Sequence, residues 1–389
     1  MREAVIVSAV RTPVGRCRGS LASVPAHVLG AAVVAEAVKR TGLDPERIDD
    51  VIFANLMNNE INNMGRMVAL EAGLPISVGG VTLDRQCAAS LNALAYGAIQ
   101  IMAGFADVIV AGGAESDSRR TYSLEKCDTA WSVTPPRWVD IHTSPDRIGN
   151  PSMGVTAETV AARYGLTRRE LDAFSVRSHV LAAAAWDAGR FDDEVVPITV
   201  DAGKGRTVVV ARDESVRADC TVETLAALRP CFVENGIVTP GNSSPMSDGG
   251  GAMVVTSRET AQSLGLAPMA VFRGYAVAGV DPNVMGIGPV AAVAKLMRRT
   301  GLAVADVDLW ELNEAFASQS LACIRDIGMD LDKVNPNGGA IAIGHPLAGS
   351  GAVLVARTVR EMERRDLHRA VVTFCVGGGQ GVAVLLERD

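Results

Sequence analysis

The feature that most restricts the fold of this chain is an echo between its two ends. Thr41-Gly42-Leu43 precedes an apolar stretch, Asp50 to Leu56, and Thr300-Gly301-Leu302 precedes Val307-Asp308-Leu309-Trp310-Glu311. Cys87 falls 46 residues after Thr41, and His345 falls 45 residues after Thr300. Each is followed by a small-residue helical stretch, 88–102 and 347–362, and each helix by a glycine-terminated strand, 107–112 and 370–377. The matching order predicts two similar α/β halves whose strand-to-helix turns meet near a shared pseudo-twofold axis. Strand-end loops are where such sheets carry chemistry.

The periodicity places further elements in the first half. Val5 to Val10 reads as a buried strand, 27–41 as a helix closed by Gly42, 62–72 as a helix and Val81-Thr82-Leu83-Asp84 as a short strand. From about 118 to 248 the texture changes, with Trp131, Pro135, Pro136, Trp138 and Trp186 clustered there. Helices are expected over 153–164, 168–187 and 220–228, with strands over 193–200 and 206–211. Thr239-Pro240-Gly241-Asn242-Ser243-Ser244-Pro245 then turns into Gly249–Gly251 and a strand, Ala252 to Ser257. The expected division is 1–118 for the first part of the N-terminal half, 119–248 for an inserted module, 249–268 for the strand completing that half, and 269–389 for the C-terminal half.

Composition narrows the function classes. With 48% hydrophobic and 4% aromatic residues, the cores must be built from Ala, Val, Leu and Ile. A net charge of −7 argues against a nucleic-acid protein. The seven cysteines are scattered and lack Cys-x-x-Cys pairs, which predicts free thiols in a reducing compartment and no zinc site. No apolar run reaches the length of a membrane span, and the start carries no signal-peptide pattern, so a cytoplasmic protein is expected.

Cys87 is the leading nucleophile, because a strand-to-helix turn offers a thiolate unpaired backbone N–H groups. His345 lies in Asn335-Pro336-Asn337-Gly338-Gly339-Ala340-Ile341-Ala342-Ile343-Gly344-His345-Pro346-Leu347-Ala348-Gly349-Ser350-Gly351. Glycine there lets backbone approach a ligand, and Pro346 suits a helix start with N–H groups facing that ligand. If the halves meet as the echo predicts, His345 can take the Cys87 proton, the arrangement used in covalent acyl chemistry. Cys375 precedes Gly377-Gly378-Gly379-Gln380-Gly381, where tight backbone can turn N–H groups inward. Asn313 follows a strand, so it either caps a helix or orients a water or oxyanion. Glu314 either fixes that network or belongs to the same helix start.

Together these residues resemble the thiolase family, in its acetyl-CoA acetyltransferase and 3-ketoacyl-CoA thiolase branch. The matching stretches are Asp84 to Ser90, Gly112 to Ser116, Ser152 to Glu158, Thr239 to Gly249, Asn313 to Phe316, Asn337 to Gly351 and Cys375 to Gly381. The resemblance implies two βαβαβαββ halves layered α-β-α-β-α, with a loop domain inserted in the first. It implies that Cys87 is acylated and His345 activates it. Cys375 would move a proton to or from the acetyl-CoA α-carbon. Asn313 would hold a water that, with His345, stabilises the enolate, and the N–H groups of Cys87 and Gly377 would hold the tetrahedral oxygen. Ser244 would lie by the pantetheine arm of coenzyme A and Arg217 by its nucleotide end, with Met153 and Phe316 lining the pocket. No tightly bound cofactor or metal is implied. Coenzyme A and acetyl-CoA are substrates, the insert carries coenzyme A and oligomer contacts, and the assembly is a homodimer or homotetramer.

The implied reaction is reversible CoA-dependent thiolysis of a 3-ketoacyl-CoA, or the reverse Claisen condensation. The alternatives are another condensing enzyme of the same fold and a non-catalytic acyl-CoA or lipid-binding relative. Ketoacyl synthases would show a second histidine where Asn313 stands, 3-hydroxy-3-methylglutaryl synthases a glutamate base, and a non-catalytic relative the loss of a cysteine or of His345. This chain departs from the usual pattern at Ala88-Ala89-Ser90, where relatives have a small Ser/Gly pair. It departs again at Ala348-Gly349, which reverses the glycine placement, and at Ser152, where acetyl-specific enzymes have histidine. With the altered stretch Trp138 to Pro151, these departures predict a specificity wider than four-carbon substrates.

Overall fold

A computed structural model describes residues 2–127 and 129–389. Its strands are β1 (Ala4–Arg11), β2 (Gly15–Arg16), β3 (Asp50–Ala54), β4 (Val81–Leu83), β5 (Val108–Ser116), β6 (Ile198–Asp201), β7 (Thr207–Val210), β8 (Ser247–Ser257), β9 (Ala270–Gly279), β10 (Leu309–Leu312), β11 (Arg369–Val376) and β12 (Gln380–Glu387). In the first half the order across the sheet is β4-β3-β5-β8-β1, and in the second β10-β11-β12-β9. The second half lacks only a full counterpart of β4, and an isolated parallel bridge between Trp310 and Val334 stands in its place. Parallel and antiparallel pairings also correspond: β3 runs parallel to β5 as β10 does to β11, and β5–β8 and β11–β12 are antiparallel. The halves join where β1 pairs with β9, Val5 opposite Val271 and Ile6 opposite Ala270. The expected pair of similar α/β halves is therefore present.

Both faces of the sheet are covered, so its strands read as continuous apolar runs. Side chains of β5 alternate between two cores. Ile109 and Ala111 point to the central one, while Val108, Val110 and Ala114 point to the outer one beneath the helix Ala26–Thr41. A third core packs the helices Gly288–Thr300 and Ala317–Ile327 on the second half. Two helices fill the middle layer, Ala89–Ala103 from the first half and Ser350–Arg365 from the second. Leu91, Leu94 and Ile101 of one share a core with Leu354, Val355, Val359 and Met362 of the other. At their closest approach only glycine fits, because a Cβ on Gly351 would lie 2.2 Å from the Leu91 nitrogen. Ser90 Oγ accepts the Ala352 N–H there at 2.9 Å.

The chain between β5 and β8 builds the insert. Its helices are Met153–Arg163, Arg168–Asp187 and Val222–Ala226, and β6 and β7 form a separate ribbon. Thr167 and Glu170 form a reciprocal cap that starts the long helix where the sequence places it. Arg11 fastens this insert to β1. It is fully buried, donates from Nε to Glu194 at 2.6 Å and meets Asp213 with both terminal nitrogens at 2.8 and 3.1 Å.

Two local expectations change. The strand expected over 193–200 begins only at Ile198, because Glu194 is taken into the turn that meets Arg11. The strand expected from Ala252 begins earlier, so that Gly249–Gly251 lies inside β8 opposite Glu115, Ala114 and Gly113. A Cβ on Gly250 would lie 2.5 Å from the Gly113 oxygen, so glycine there permits close pairing and does not mark a bend.

Candidate active site

The turn that carries Cys87 is Gln86–Ala88, between β4 and its helix. Gln86 holds φ +45°, an uncommon conformation for a residue with a side chain. Asp84 Oδ1 steadies it by accepting the Gln86 N–H at 2.6 Å. This turn packs on Leu347–Gly349 from the histidine loop and on β11. The pseudo-twofold thereby gathers Cys87, His345 and Cys375, which stand far apart in sequence.

Cys87 keeps a partial opening to solvent, but desolvation of its sulfur pushes the thiol up to about 11. The backbone N–H groups of Gly377 and of Cys87 itself oppose that shift. The expectation that backbone donors would favour the thiolate is right in sign, but burial outweighs them. Cys375, at the end of β11, is 1% exposed. Burial, with the nearby Cys87 as the next cause, raises its thiol well above the usual range. At neutral pH both sulfurs are therefore thiols.

His345 is neutral as well, because burial lowers it to about 4. Its Nδ1 lies 2.6 Å from Ser350 Oγ, and its Nε2 lies 3.3 Å from Asn313 Nδ2. With Nδ1–H donating to Ser350, Nε2 carries the lone pair, which accepts from the Asn313 amide at rest and takes a proton when that contact is exchanged. Ser247 Oγ accepts the His345 backbone N–H at 3.1 Å.

Asn313 does not cap the following helix, which begins at Ala317 after Phe316. Its backbone N–H donates to Thr373 O at 3.0 Å. Its side-chain oxygen is buried with no partner among the described residues, which leaves an acceptor for solvent or substrate. Glu314 performs the network role: it accepts from Ser178 Oγ, Asn335 Nδ2 and the Ile341 N–H. The backbone donors after Pro346 do not face a ligand. Ala348 N–H reaches Glu115 at 3.4 Å, Gly349 N–H reaches Pro346 O at 2.7 Å, and Ala352 N–H is held by Ser90.

Met153 and Phe316 pack in one apolar cluster with Cys375 and Met285. Ser244 lies half-buried beside them, its Oγ donating to Ala315 O at 3.0 Å. Arg217 stands apart on an exposed loop, its backbone N–H donating to His179 Nδ1 at 3.2 Å. Gly377 lines a small cavity of about 240 Å³ with Asp84, Gln86, His142 and Thr143. Sequence reasoning assigned no role to Ser350, Glu115 or Ser247. All three stood inside recognised motifs, at positions whose partners are distant in sequence. Glu115 is fully buried, raised to about 7 by desolvation, and accepts from Leu56, Met57 and Ala348 N–H groups. Among the described residues no cluster of three or more His, Cys, Asp or Glu could hold a metal ion, and no helix is long and apolar enough to cross a membrane.

Comparison with known proteins covers the whole chain. The family described as "Thiolase, N-terminal domain" matches residues 4–259, and "Thiolase, C-terminal domain" matches residues 266–388. An acetyl-CoA acetyltransferase of Pseudomonas aeruginosa is 44% identical over 393 residues, covering 100% of each chain. A 3-ketoacyl-CoA thiolase of Bacillus subtilis is 45% identical over 398 residues, again covering 100% of each. The crystal structure of the Bacillus anthracis acetyl-CoA acetyltransferase superposes with a TM-score of 0.95 at 40% identity, covering 100% of this chain and 99% of that one.

Proposed function

The chain belongs to the thiolase family, whose chemistry is CoA-dependent acyl transfer, and from that premise we propose that it is an acetyl-CoA C-acyltransferase or C-acetyltransferase working through an acyl-Cys87 intermediate. The observation that carries the reading is the neutral His345, held between Ser350 and Asn313 in a loop that packs on the turn carrying Cys87.

In the thiolysis direction, His345 Nε2 takes the Cys87 proton as the sulfur attacks the keto carbon of a 3-ketoacyl-CoA. The Gly377 and Cys87 N–H groups then serve the tetrahedral oxygen, which removes the need for a stable thiolate beforehand. The carbon–carbon bond breaks, leaving the acyl group on Cys87 and the acetyl-CoA enolate near His345 Nε2–H and a water on Asn313. Cys375 gives its proton to the enolate carbon. Coenzyme A then gives its thiol proton to Cys375 and attacks the Cys87 thioester, leaving as acyl-CoA, while His345 returns its proton to the Cys87 sulfur. Covalent capture splits one hard step into two easier ones. Run backwards, the same groups perform the condensation.

Met153, Phe316 and Ser244 would line the pantetheine path, and the insert, residues 119–248, would hold the nucleotide. Arg217 would meet it from an exposed loop. We assign the enzyme to the cytoplasm on its free cysteines and to fatty-acid or related acyl metabolism on its substrates. A homodimer or homotetramer is supported by the exposed Trp131 and Val133, 91% and 101% accessible. The test is thiolysis of acetoacetyl-CoA and longer 3-ketoacyl-CoAs, with mass analysis of the acylated protein and Cys87→Ser as control. Acyl-CoA binding without turnover would point to the non-catalytic alternative, and substantial Cys87→Ser turnover would overturn the nucleophile assignment.

A further inference from the structure

The small cavity at Gly377 does not end beside the nucleophile. It shares Asp84, Gln86 and His142 with a second cavity of about 870 Å³. The second space lies between the loop after β3, at Leu56, Met57 and Asn59, and two segments of the insert, 120–123 and 138–142. Gln86 adjoins Cys87, and Gly377, whose backbone N–H acts on the Cys87 thiol, lines the small cavity, so the route from sulfur to the large cavity is short. A space of this size suits a drug-sized group and far exceeds an acetyl group.

The lining has a definite chemistry. Tyr122 and Trp138 meet edge-to-face with centroids 5.6 Å apart, yet they remain 78% and 66% exposed. Paired aromatic faces left open in this way favour a flat or cyclic partner. Around them stand Asp84 and Asp140, opposed by Arg120, while His142 is paired with Asp146 at 3.3 Å. Two carboxylates against one guanidinium disfavour an anionic terminus. Asn59, Thr121 and Ser123 add neutral hydrogen-bonding groups.

We propose that this second cavity receives the distal part of the acyl group carried on Cys87, and that the acyl group it suits is bulky and uncharged, bearing a ring or neutral polar substituents. The assignment rests on Cys87 being the acylated residue. It gives a physical basis for a specificity wider than four-carbon substrates, because the altered stretch from Trp138 onward forms one wall. Catalysis itself is unchanged: the acyl carbon stays at the Cys87 sulfur, and only the tail enters the cavity.

The test is a competition on the intact protein. Equal amounts of acetoacetyl-CoA and two 3-ketoacyl-CoAs of equal length, one ending in a phenyl ring and one in a carboxylate, are offered together, and the acyl group on Cys87 is identified by mass. The phenyl-ended acyl is expected to exceed the carboxylate-ended one by about tenfold, the discrimination one well-fitted group supplies. Asn59→Trp, which fills the cavity, and Trp138→Ala, which removes its aromatic wall, should each lower the phenyl-to-acetoacetyl ratio of kcat/KM by about the same factor. The proposal is overturned if wild-type protein cleaves acetoacetyl-CoA but takes neither longer acyl group. A preference for the carboxylate, or a ratio unmoved by both variants, overturns it too. Absence of turnover on all three substrates removes the reading of Cys87 beneath it and is thereby told apart.

Discussion

Ser350 Oγ lies 2.6 Å from His345 Nδ1 while Asn313 Nδ2, which can only donate, lies 3.3 Å from Nε2, so Nδ1–H donates to the serine and Nε2 is the basic nitrogen. The serine begins the second central helix, so the imidazole is anchored by an element of the hydrophobic core.

Ser350→Ala should leave the loop in place, because Pro346, Ser247 and the Ala348–Glu115 contact still hold it. It removes the acceptor for Nδ1–H. We expect kcat to fall by about tenfold with KM little changed, the effect of losing one buried hydrogen bond that orders the base. Steady-state thiolysis of acetoacetyl-CoA measures it. An unchanged kcat would assign Ser350 to packing alone.

The thiol of Cys87 near 11 and the imidazole of His345 near 4 predict a neutral resting pair, not a thiolate–imidazolium pair. Alkylation of Cys87 by iodoacetamide follows the thiolate fraction. Between pH 6.5 and pH 9.5, the whole window lying more than about one unit below the thiol, the rate should climb by about tenfold per unit without a plateau. A rate already flat across this window would show a preformed ion pair.

Much of the site was legible because its residues sit at repeated places in two similar halves. Cys87 and His345 follow from the echo of Thr41 and Thr300. What could not be read depends on neighbours distant in sequence. Ser247 lies 98 residues from the histidine whose N–H it accepts. From sequence Asn313 could be a helix cap or an orienting amide; three more residues pass before the helix begins, which frees its amide for His345. The departures at Ala89 and Ala348 looked independent and meet in space: both methyls pack with Ala54 against Leu56. Leu56 in turn walls the large cavity.

That contact predicts that restoring the usual residue order will harm this protein. In Ala348→Gly/Gly349→Ala the methyl moves one place along the loop. A Cβ at 349 would lie 2.9 Å from the Gly249 oxygen, 2.9 Å from Gly250 Cα and 3.1 Å from the Gly113 oxygen. These are backbone atoms of two paired strands and cannot turn aside. We expect a loss of about 1–3 kcal/mol in urea unfolding, the usual cost of overpacking. Full wild-type stability would show that the strands yield at little cost.

Arg11→Met should be more damaging. Arg11 neutralises Glu194 and Asp213, which are both buried, and its guanidinium sits 5.1 Å from the centre of the Phe191 ring. Removing one partner of a buried charge network leaves uncompensated carboxylates and costs about 3–5 kcal/mol. Because Glu194 and Asp213 belong to the insert, limited proteolysis should cut first between β5 and β8. Adding Glu194→Gln and Asp213→Asn should recover part of the loss. A variant as stable as wild type would show that the insert is held by its apolar contacts alone.

Glu311 poses the opposite case, a buried carboxylate whose counter-ion does not reach it. Both oxygens lack hydrogen-bond partners among the described residues, Arg357 Nη2 stands 3.8 Å away, and Arg357 Nε is likewise unpartnered. Burial raises the group to about 7 against an ordinary 4.5, even with Arg357 pulling the other way. Between those values the folded state keeps a proton that the unfolded chain gives up. The associated stability is therefore complete below the unfolded value and is lost as pH rises through 7. Glu311→Gln keeps the shape and cannot ionise. From pH 5.5 to pH 8, wild type should lose about 2 kcal/mol more than the variant in urea unfolding. The variant's amide can also accept from Arg357, so its advantage should appear only on the alkaline side. Equal pH dependence in the two proteins would mean that Glu311 is ionised throughout, with Arg357 compensating it across the longer distance.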